Sequence, residues 1–199
     1  APVLRAILDR MNPDNPVLIP FSVAINAGGQ SRRMGTDKAF VPLLGRPLIE
    51  HVLARVAGLG AAETFIVTNA PEKYQALGLP LYGDIIPGAG SLGGIYSALT
   101  HATTPYTFVI ACDLPLASPE LLRLLLARAS EDGGPYDAIV PRYQGTTQGM
   151  HALYARTARE SIGQAVAEGR YQVKALLNDV HTRFVDEPEY AHIDQDGRA

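Results

Sequence analysis

The chain predicts an α/β fold, a single doubly wound and mostly parallel sheet with helices on both faces. Two observations lead there. Short uncharged runs rich in β-branched, aliphatic and aromatic residues, Phe21 to Ile25, Thr64 to Thr68 and Tyr106 to Cys112, read as strands covered on both faces. Segments with apolar residues at helical spacing alternate with them, as they do where crossover helices join parallel strands.

Taken in order, Val3, Leu4, Ile7, Leu8 and Met11 recur at helical spacing, and Asn12-Pro13-Asp14-Asn15-Pro16 breaks that pattern, so residues 1–20 are expected to be a leader carrying a short helix. The strand from Phe21 to Ile25 follows, and a glycine-rich loop leaves its C-terminal end. Pro47 opens a helix at a position where its missing N–H costs nothing; Leu48, Ile49, Val52, Leu53 and Val56 form its apolar face and Gly58 and Gly60 stop it. After the strand from Thr64 to Thr68, Pro71 to Leu77 predicts a short helix and Leu79 to Ile86 an irregular extended piece containing Asp84. Leu92 to Ala102 predicts a helix, Tyr106 to Cys112 a strand ending at Asp113, and Pro119 to Ala129 another helix. Asp137 to Val140 and Met150 to Tyr154 predict strands flanking a polar loop, Arg142 to Gln148. Helices over Thr157 to Glu168 and Val173 to Asn178 and a strand over His181 to Val185 complete a domain spanning 21–185. The charged tail, 186–199, predicts no element.

The 199 residues suit one domain, and a 47% hydrophobic, 19% charged composition describes a globular chain. A net charge of −3 gives no footprint for nucleic acid or an anionic membrane. Cys112 is the only cysteine, which excludes an intramolecular disulfide framework and a cysteine zinc site and fits a reducing compartment. No apolar run approaches the roughly 20 residues that span a bilayer, and the N-terminus lacks the apolar core of a signal peptide, so a soluble cytoplasmic protein is expected.

The stretch from Ile25 to Lys38 holds three glycines, two arginines, a lysine and two small hydroxyl residues. Glycines let backbone N–H groups approach a ligand closely, and fixed cations and hydroxyls add charge-assisted hydrogen bonds, so the stretch reads as a phosphate cradle. It is not a Walker A loop, because five residues separate Gly29 from Gly35 and Thr36-Asp37-Lys38 follows. Nor is it a Gly-x-Gly-x-x-Gly dinucleotide loop, because Gly28 and Gly29 are adjacent. Arg33 and Lys38 are placed to neutralise charge as a leaving pyrophosphate separates.

The pattern Ala27-Gly28-Gly29-x-Ser31-x-Arg33-Met34-Gly35-x-Asp37-Lys38 resembles the signature of the molybdenum cofactor guanylyltransferases and their nucleotidyltransferase relatives. Val67-Thr68-Asn69, Asp84 ahead of Gly90-Ser91-Leu92-Gly93-Gly94-Ile95, and Ala111-Cys112-Asp113-Leu114-Pro115 resemble later landmarks of that family in the same order. The resemblance runs from Phe21 to Tyr154. It implies a doubly wound fold and transfer of GMP from GTP to the terminal phosphate of molybdopterin, with Mg²⁺ and release of pyrophosphate. It further implies that Asn26, Ala27 and Gly28 contact the nucleoside through the main chain, that Gly29 and Ser31 belong to the nucleotide loop, and that Lys38 contacts the phosphates. Asn69 would lie near the nucleoside, Asp84 and the glycines after it, Gly93 included, near the base or ribose, and Asp113 would hold the metal. Lys38, Arg33 and Asp113 are the implied catalytic residues. Proteins of cofactor biosynthesis or molybdoenzyme maturation are the implied partners.

The residues themselves agree on Asp113. It ends a central strand, where open α/β sheets bind ligands, and it is not needed as a helix cap because Ser118-Pro119-Glu120 supplies one. Mg²⁺ usually takes one or two carboxylates plus phosphate oxygens and waters, so one aspartate suffices. Attack of a phosphate on an α-phosphorus needs no side-chain base, which leaves positioning and charge neutralisation as the catalytic work.

His51, His101, His181 and His192 show no metal-site spacing. His151, Arg142 and Gln148 stand near the expected acceptor side, and the latter two are candidates to meet the pterin or its phosphate. The chain departs from the family pattern at Asn26, usually apolar, at Ser91 and Gly149, often proline, and at the C-terminus. There Asp186-Glu187-Pro188-Glu189 only loosely matches an Asn-x-Asn-Thr-Pro-Glu-Asp segment, so a truncated or diverged acceptor side is expected. The adjacent Gly28-Gly29 resembles the guanylyl branch; the alternatives are a cytidylyltransferase, a sugar or polyol phosphate nucleotidyltransferase, and a non-catalytic nucleotide-binding protein. Retention of both Lys38 and Asp113 argues against the last.

Overall fold

The computed structural model describes residues 19–28 and 37–193. The expected leader helix lies outside the described residues. In chain order the strands are β1 (Phe21–Asn26), β2 (Pro42–Leu43), β3 (Arg46–Pro47), β4 (Glu63–Val67), β5 (Leu81–Tyr82), β6 (Tyr106–Ala111), β7 (Ala138–Tyr143), β8 (Thr146–Thr147), β9 (His151–Ala155) and β10 (Thr182–Asp186). The helices are α1 (Leu48–Val56), α2 (Gly90–His101), α3 (Pro119–Arg128), α4 (Ala158–Ala167), α5 (Val173–Asp179) and α6 (Glu187–Tyr190).

The main sheet has the order β10-β7-β9-β6-β1-β4-β5, with β8 paired to β7. β1 is parallel to both neighbours, as are β4 with β5 and β7 with β10, while β9 runs antiparallel to β6 and β7. The mostly parallel sheet expected from the sequence is therefore present, with β9 reversed inside it. Side chains along β1 alternate between two cores. Phe21, Val23 and Ile25 join Ile49, Val52 and Val56 of α1 and Leu121, Leu122 and Leu125 of α3 on one face. Ala24 joins Leu92, Ile95 and Leu99 of α2, Ile162 of α4 and Leu176 of α5 on the other. Both faces are covered, which is why the central strands carry no charged residue.

The longer helices follow their local signals. Ser118 accepts a hydrogen bond from the Leu121 N–H at 3.2 Å and Pro119 opens α3, as expected. Pro47 precedes the first residue of α1, and α2 starts at Gly90, ahead of the expected Leu92. The remaining differences are short elements. Pro71 to Leu77 forms two 3-10 turns, Pro71–Lys73 and Gln75–Leu77, because the Tyr74 between them turns its ring fully into the core. Residues 42–47 form a ribbon whose turn places Leu44 and Gly45 at φ of 49° and 80°. The polar loop is a second such hairpin, β7 to β8, turning at Gln144 and Gly145. The tail extends β10 to Asp186 and then forms α6, where Tyr190 is buried and donates from its hydroxyl to the Arg142 carbonyl at 2.8 Å.

One contact fixes the end of β1 against α2. A Cβ added to Gly94 of α2 would lie 1.9 Å from Nδ2 of Asn26, so the end of β1 and the second turn of α2 fit together only with glycine at 94. Gly94→Ala is expected to lower stability by about 1–3 kcal/mol despite its better helix propensity. In a denaturation double-mutant cycle, Asn26→Ala should recover part of that loss; strictly additive losses would show that the two residues do not collide.

Candidate functional site

A cleft of about 1240 Å³ opens outside the carboxyl ends of β1, β4 and β6. The crossover through α1 and the one through α2 cover opposite faces, so the chain separates here and leaves the opening in which doubly wound sheets bind ligands. One wall carries Asn26, Ala27, Gly28, Lys38, Asn69 and Asp84; Gly88 and the first residues of α2, Gly90 and Ser91, lie beside it. Asp113 lies at the end of β6. The facing wall carries Thr146 to Met150, Val173 and Lys174.

On the first wall, Asn26 Oδ1 accepts from the Gly28 N–H at 3.1 Å, a side-chain turn that bends the chain out of β1. The amide at position 26 is thus engaged locally as well as lining the cleft. Asn69 and Asp84 bond reciprocally: Asn69 Nδ2 donates to Asp84 Oδ2 at 2.8 Å, and the Asp84 N–H donates to Asn69 Oδ1 at 3.0 Å. A Cβ at Gly28 would stand 2.9 Å from Asp84 Oδ2, so glycine there lets the carboxylate approach the loop. Asp84 Oδ1 is buried without a partner among the described residues, and burial raises the carboxyl pKa against the lowering effect of Asn69.

Lys38 begins a 3-10 turn, Lys38–Phe40, that Asp37 caps by accepting from the Ala39 N–H at 3.2 Å. The other Asp37 oxygen accepts from the buried Tyr74 hydroxyl at 3.0 Å, and Lys73 stands 3.8 Å away. Asp37 therefore anchors the turn that aims Lys38 across the cleft, where its Nζ lies 3.3 Å from Asp113 Oδ2. The Lys38 side chain is 51% exposed, so this pair holds little energy and can open.

The structure brings Asn26, Ala27, Gly28, Lys38, Asn69, Asp84 and Asp113 to one cleft. Gly29, Ser31 and Arg33 lie outside the described residues. Gly93 is buried within α2 and is not among the cleft-lining residues; a Cβ there would meet the Ala89 Cβ at 2.8 Å, and its carbonyl accepts from Ser97. Gln148 lines the facing wall, whereas Arg142 forms a bidentate pair with Asp186, both bonds 2.7 Å, and lies over the Phe184 ring. Arg142 thus fastens the tail to β7 and is not among the cleft-lining residues.

A family model described as the MobA-like NTP transferase domain matches residues 23–184. The chain belongs to that family. It is 33% identical over 171 residues to a "Probable molybdenum cofactor guanylyltransferase" of Peptoclostridium acidaminophilum, covering 84% of this chain and 77% of the relative. It is 30% identical over 177 residues to the "Molybdenum cofactor guanylyltransferase" of Syntrophotalea carbinolica, covering 89% and 83%. Among solved structures, the molybdopterin-guanine dinucleotide biosynthesis protein A of Archaeoglobus fulgidus superposes with a TM-score of 0.74 at 27% identity, covering 88% of each chain. The nucleotidyltransferase fold and enzyme class expected from the sequence are those of this family.

For a MobA-like NTP transferase the metal question turns on Asp113. No group of three or more His, Cys, Asp or Glu side chains able to hold a metal occurs among the described residues. A single accessible carboxylate at a strand end does fit Mg²⁺, which keeps waters and takes phosphate oxygens from its substrate. None of the described helices is long and apolar enough to cross a membrane.

Sequence reasoning did not single out Lys174 or the anchoring role of Asp37. An Asp two residues before Ala39 is a readable cap signal. Lys174 had no local signal: it reaches the cleft because Gly149 lets Val173 pack close, a Cβ there lying 2.5 Å from Val173 Cγ1.

Because the folded protein raises the pKa of Asp84, the stabilising contribution of that group is full below its unfolded value and is lost as pH rises through the folded one. Asp84→Asn should therefore raise the melting temperature at pH 7, with the gain shrinking as pH falls through the raised folded value. A melting-temperature difference independent of pH would contradict a desolvated carboxylate.

Proposed function

We propose that this chain transfers GMP from GTP to the terminal phosphate of molybdopterin, forming the guanine dinucleotide cofactor and pyrophosphate. The observation that carries the choice of base is Asp84 Oδ1, a buried acceptor without a described partner beside the nucleotide loop. Guanine presents two adjacent donors, its N1–H and exocyclic amine, to such a carboxylate. Cytosine presents one exocyclic amine, next to the acceptors N3 and O2. The similarity to guanylyltransferases supports the same choice.

GTP lies with its base by Asn69 and Asp84 and its phosphates toward Lys38. The acceptor phosphate, an anion at neutral pH, enters from the wall of Gln148 and Lys174 and attacks the α-phosphorus as pyrophosphate leaves. No side chain need take a proton. Lys38 neutralises charge on the leaving group, Lys174 draws the acceptor phosphate in, and the cleft walls hold the two substrates in line. Asp113 would hold Mg²⁺, which supplies further charge neutralisation when bound. We place the reaction in the cytoplasm, between proteins that supply molybdopterin and those that receive the dinucleotide.

The test is to incubate the protein with Mg²⁺, molybdopterin and each nucleoside triphosphate in turn, and to measure pyrophosphate and dinucleotide. Product with GTP alone is expected; product with CTP and not GTP would reverse the base assignment, and no product with any triphosphate would leave a nucleotide-binding protein. Lys38→Ala should lower kcat about a hundredfold or more while melting normally, since an exposed ion pair contributes at most about 1 kcal/mol to folding. Near-normal turnover in that folded variant would sink the assignment. Lys174→Ala should raise the KM for molybdopterin about tenfold and leave the KM for GTP unchanged, as loss of one charged contact to the acceptor requires. An equal rise in both constants would move Lys174 to the nucleotide.

A further inference from the structure

Beside Asp113 the cleft continues into a slot of about 350 Å³. The two share Asp113, Leu114 and Gln148, so a molecule whose phosphate reaches Asp113 can extend into the slot. Three features set this slot apart. Leu116 and Tyr143 stand at its rim with 50% and 45% of their surface exposed, two of the few large apolar side chains that the described residues leave in water. Pro141 and Ala117 add further apolar wall. His151, 8% exposed, lines the slot with a buried Nε2 that has no partner among the described residues.

A slot with apolar walls, Asp113 and Gln148 where it joins the cleft and one buried unpartnered nitrogen is unlike a site for a polyol or sugar, which carries hydroxyls all round and would leave several of them unpaired against those walls. It suits a flat fused heterocycle, whose faces are apolar and whose edge carries ring nitrogens and a carbonyl. The hairpin of β7 and β8 holds Tyr143 where its ring can cover such a face, and a volume near the low end of about 300–1,000 Å³ admits a fused ring system and little more.

We propose that the slot of Leu116, Pro141, Tyr143 and His151 binds the pterin ring system of the acceptor, with His151 Nε2 on its hydrogen-bonding edge and Tyr143 against its face. This rests on the guanylyltransferase reading for the identity of the acceptor. The slot, whose lining includes Tyr190 of the C-terminal tail, then provides ring selectivity on this chain.

The test combines two readouts. In the first, the KM for molybdopterin is measured for His151→Leu, His151→Gln and the rim variant Tyr143→Ala, which removes an exposed ring and leaves the core intact. His151→Leu and Tyr143→Ala should each raise it about tenfold with the KM for GTP unchanged, and His151→Gln should restore part of the loss. An unchanged molybdopterin KM in the folded Tyr143→Ala variant overturns the slot while leaving guanylyl transfer standing. In the second, 6-hydroxymethylpterin is titrated into the protein with its own fluorescence as the signal. Saturable quenching that weakens in Tyr143→Ala supports the slot even if the wild-type protein makes no dinucleotide; quenching that is absent, or equal in the variant, overturns it whatever the enzyme transfers.

Discussion

The cleft exists because β1 makes its last main-chain hydrogen bonds to both neighbours at the same step. The Ala27 N–H donates to the Val67 carbonyl at 2.8 Å, and the Asn26 carbonyl accepts from the Cys112 N–H at 3.1 Å. Asn26 pairs in register with Val67 on one side and Ala111 on the other. Two residues beyond that row stand Gly28, Asn69 and Asp113, each on a chain that has just left the sheet. The parallel register thus sets Gly28, Asn69 and Asp113, the residues of the proposed nucleotide and metal site, side by side, although they are far apart in sequence. A slip of one residue would turn these side chains to the opposite face of their strands.

Charge in the cleft is arranged less simply than a phosphate cradle suggests. Its described lining carries Asp37, Asp84 and Asp113 against Lys38 and Lys174. Asp37 is already engaged by Tyr74, Lys73 and a backbone N–H, and Asp84 by Asn69. That leaves Asp113 with Lys38 as its partner. On the proposed reading Asp113 would hold a divalent cation, which would supply positive charge there, and Lys38 would be left to meet the phosphates.

Much of this architecture was legible. Strands such as Phe21 to Ile25 and Tyr106 to Cys112 declare themselves because burial on both faces removes every charged residue, and α3 because Ser118 and Pro119 mark its start. The elements legible only in outline, an extended piece over Leu79 to Ile86 and a short helix over Pro71 to Leu77, are those held by distant partners. β5 has two residues and exists because β4 offers its edge; the 3-10 turns around Tyr74 exist because the core takes that ring. Within the site, Asn69, Asp84 and Asp113 could be named from the ordered landmarks of a family, while Lys174 could not, since a helix that begins 24 residues after Gly149 brings it in. The tail looked like the weakest match, and its Asp186 and Tyr190 instead secure β7 through Arg142.

Three glycines show how the walls come together. At 28, 94 and 149 a Cβ would meet Asp84 Oδ2 at 2.9 Å, Asn26 Nδ2 at 1.9 Å and Val173 Cγ1 at 2.5 Å. A glycine in an open turn, such as Gly45, has nothing within 4 Å and answers only to its backbone angle. The former therefore set distances between parts of the cleft, and the latter sets only a turn. Gly28 brings Asp84 to the end of β1, Gly94 seats α2 against the same strand, and Gly149 seats α5 and its Lys174 on the facing wall. Each lacks a side chain to contribute to chemistry, yet substitution at any of them would move a group that lines the cleft. At position 149, where the resemblance leads one to expect proline, Val173 packs so closely that glycine is what this wall of the cleft requires.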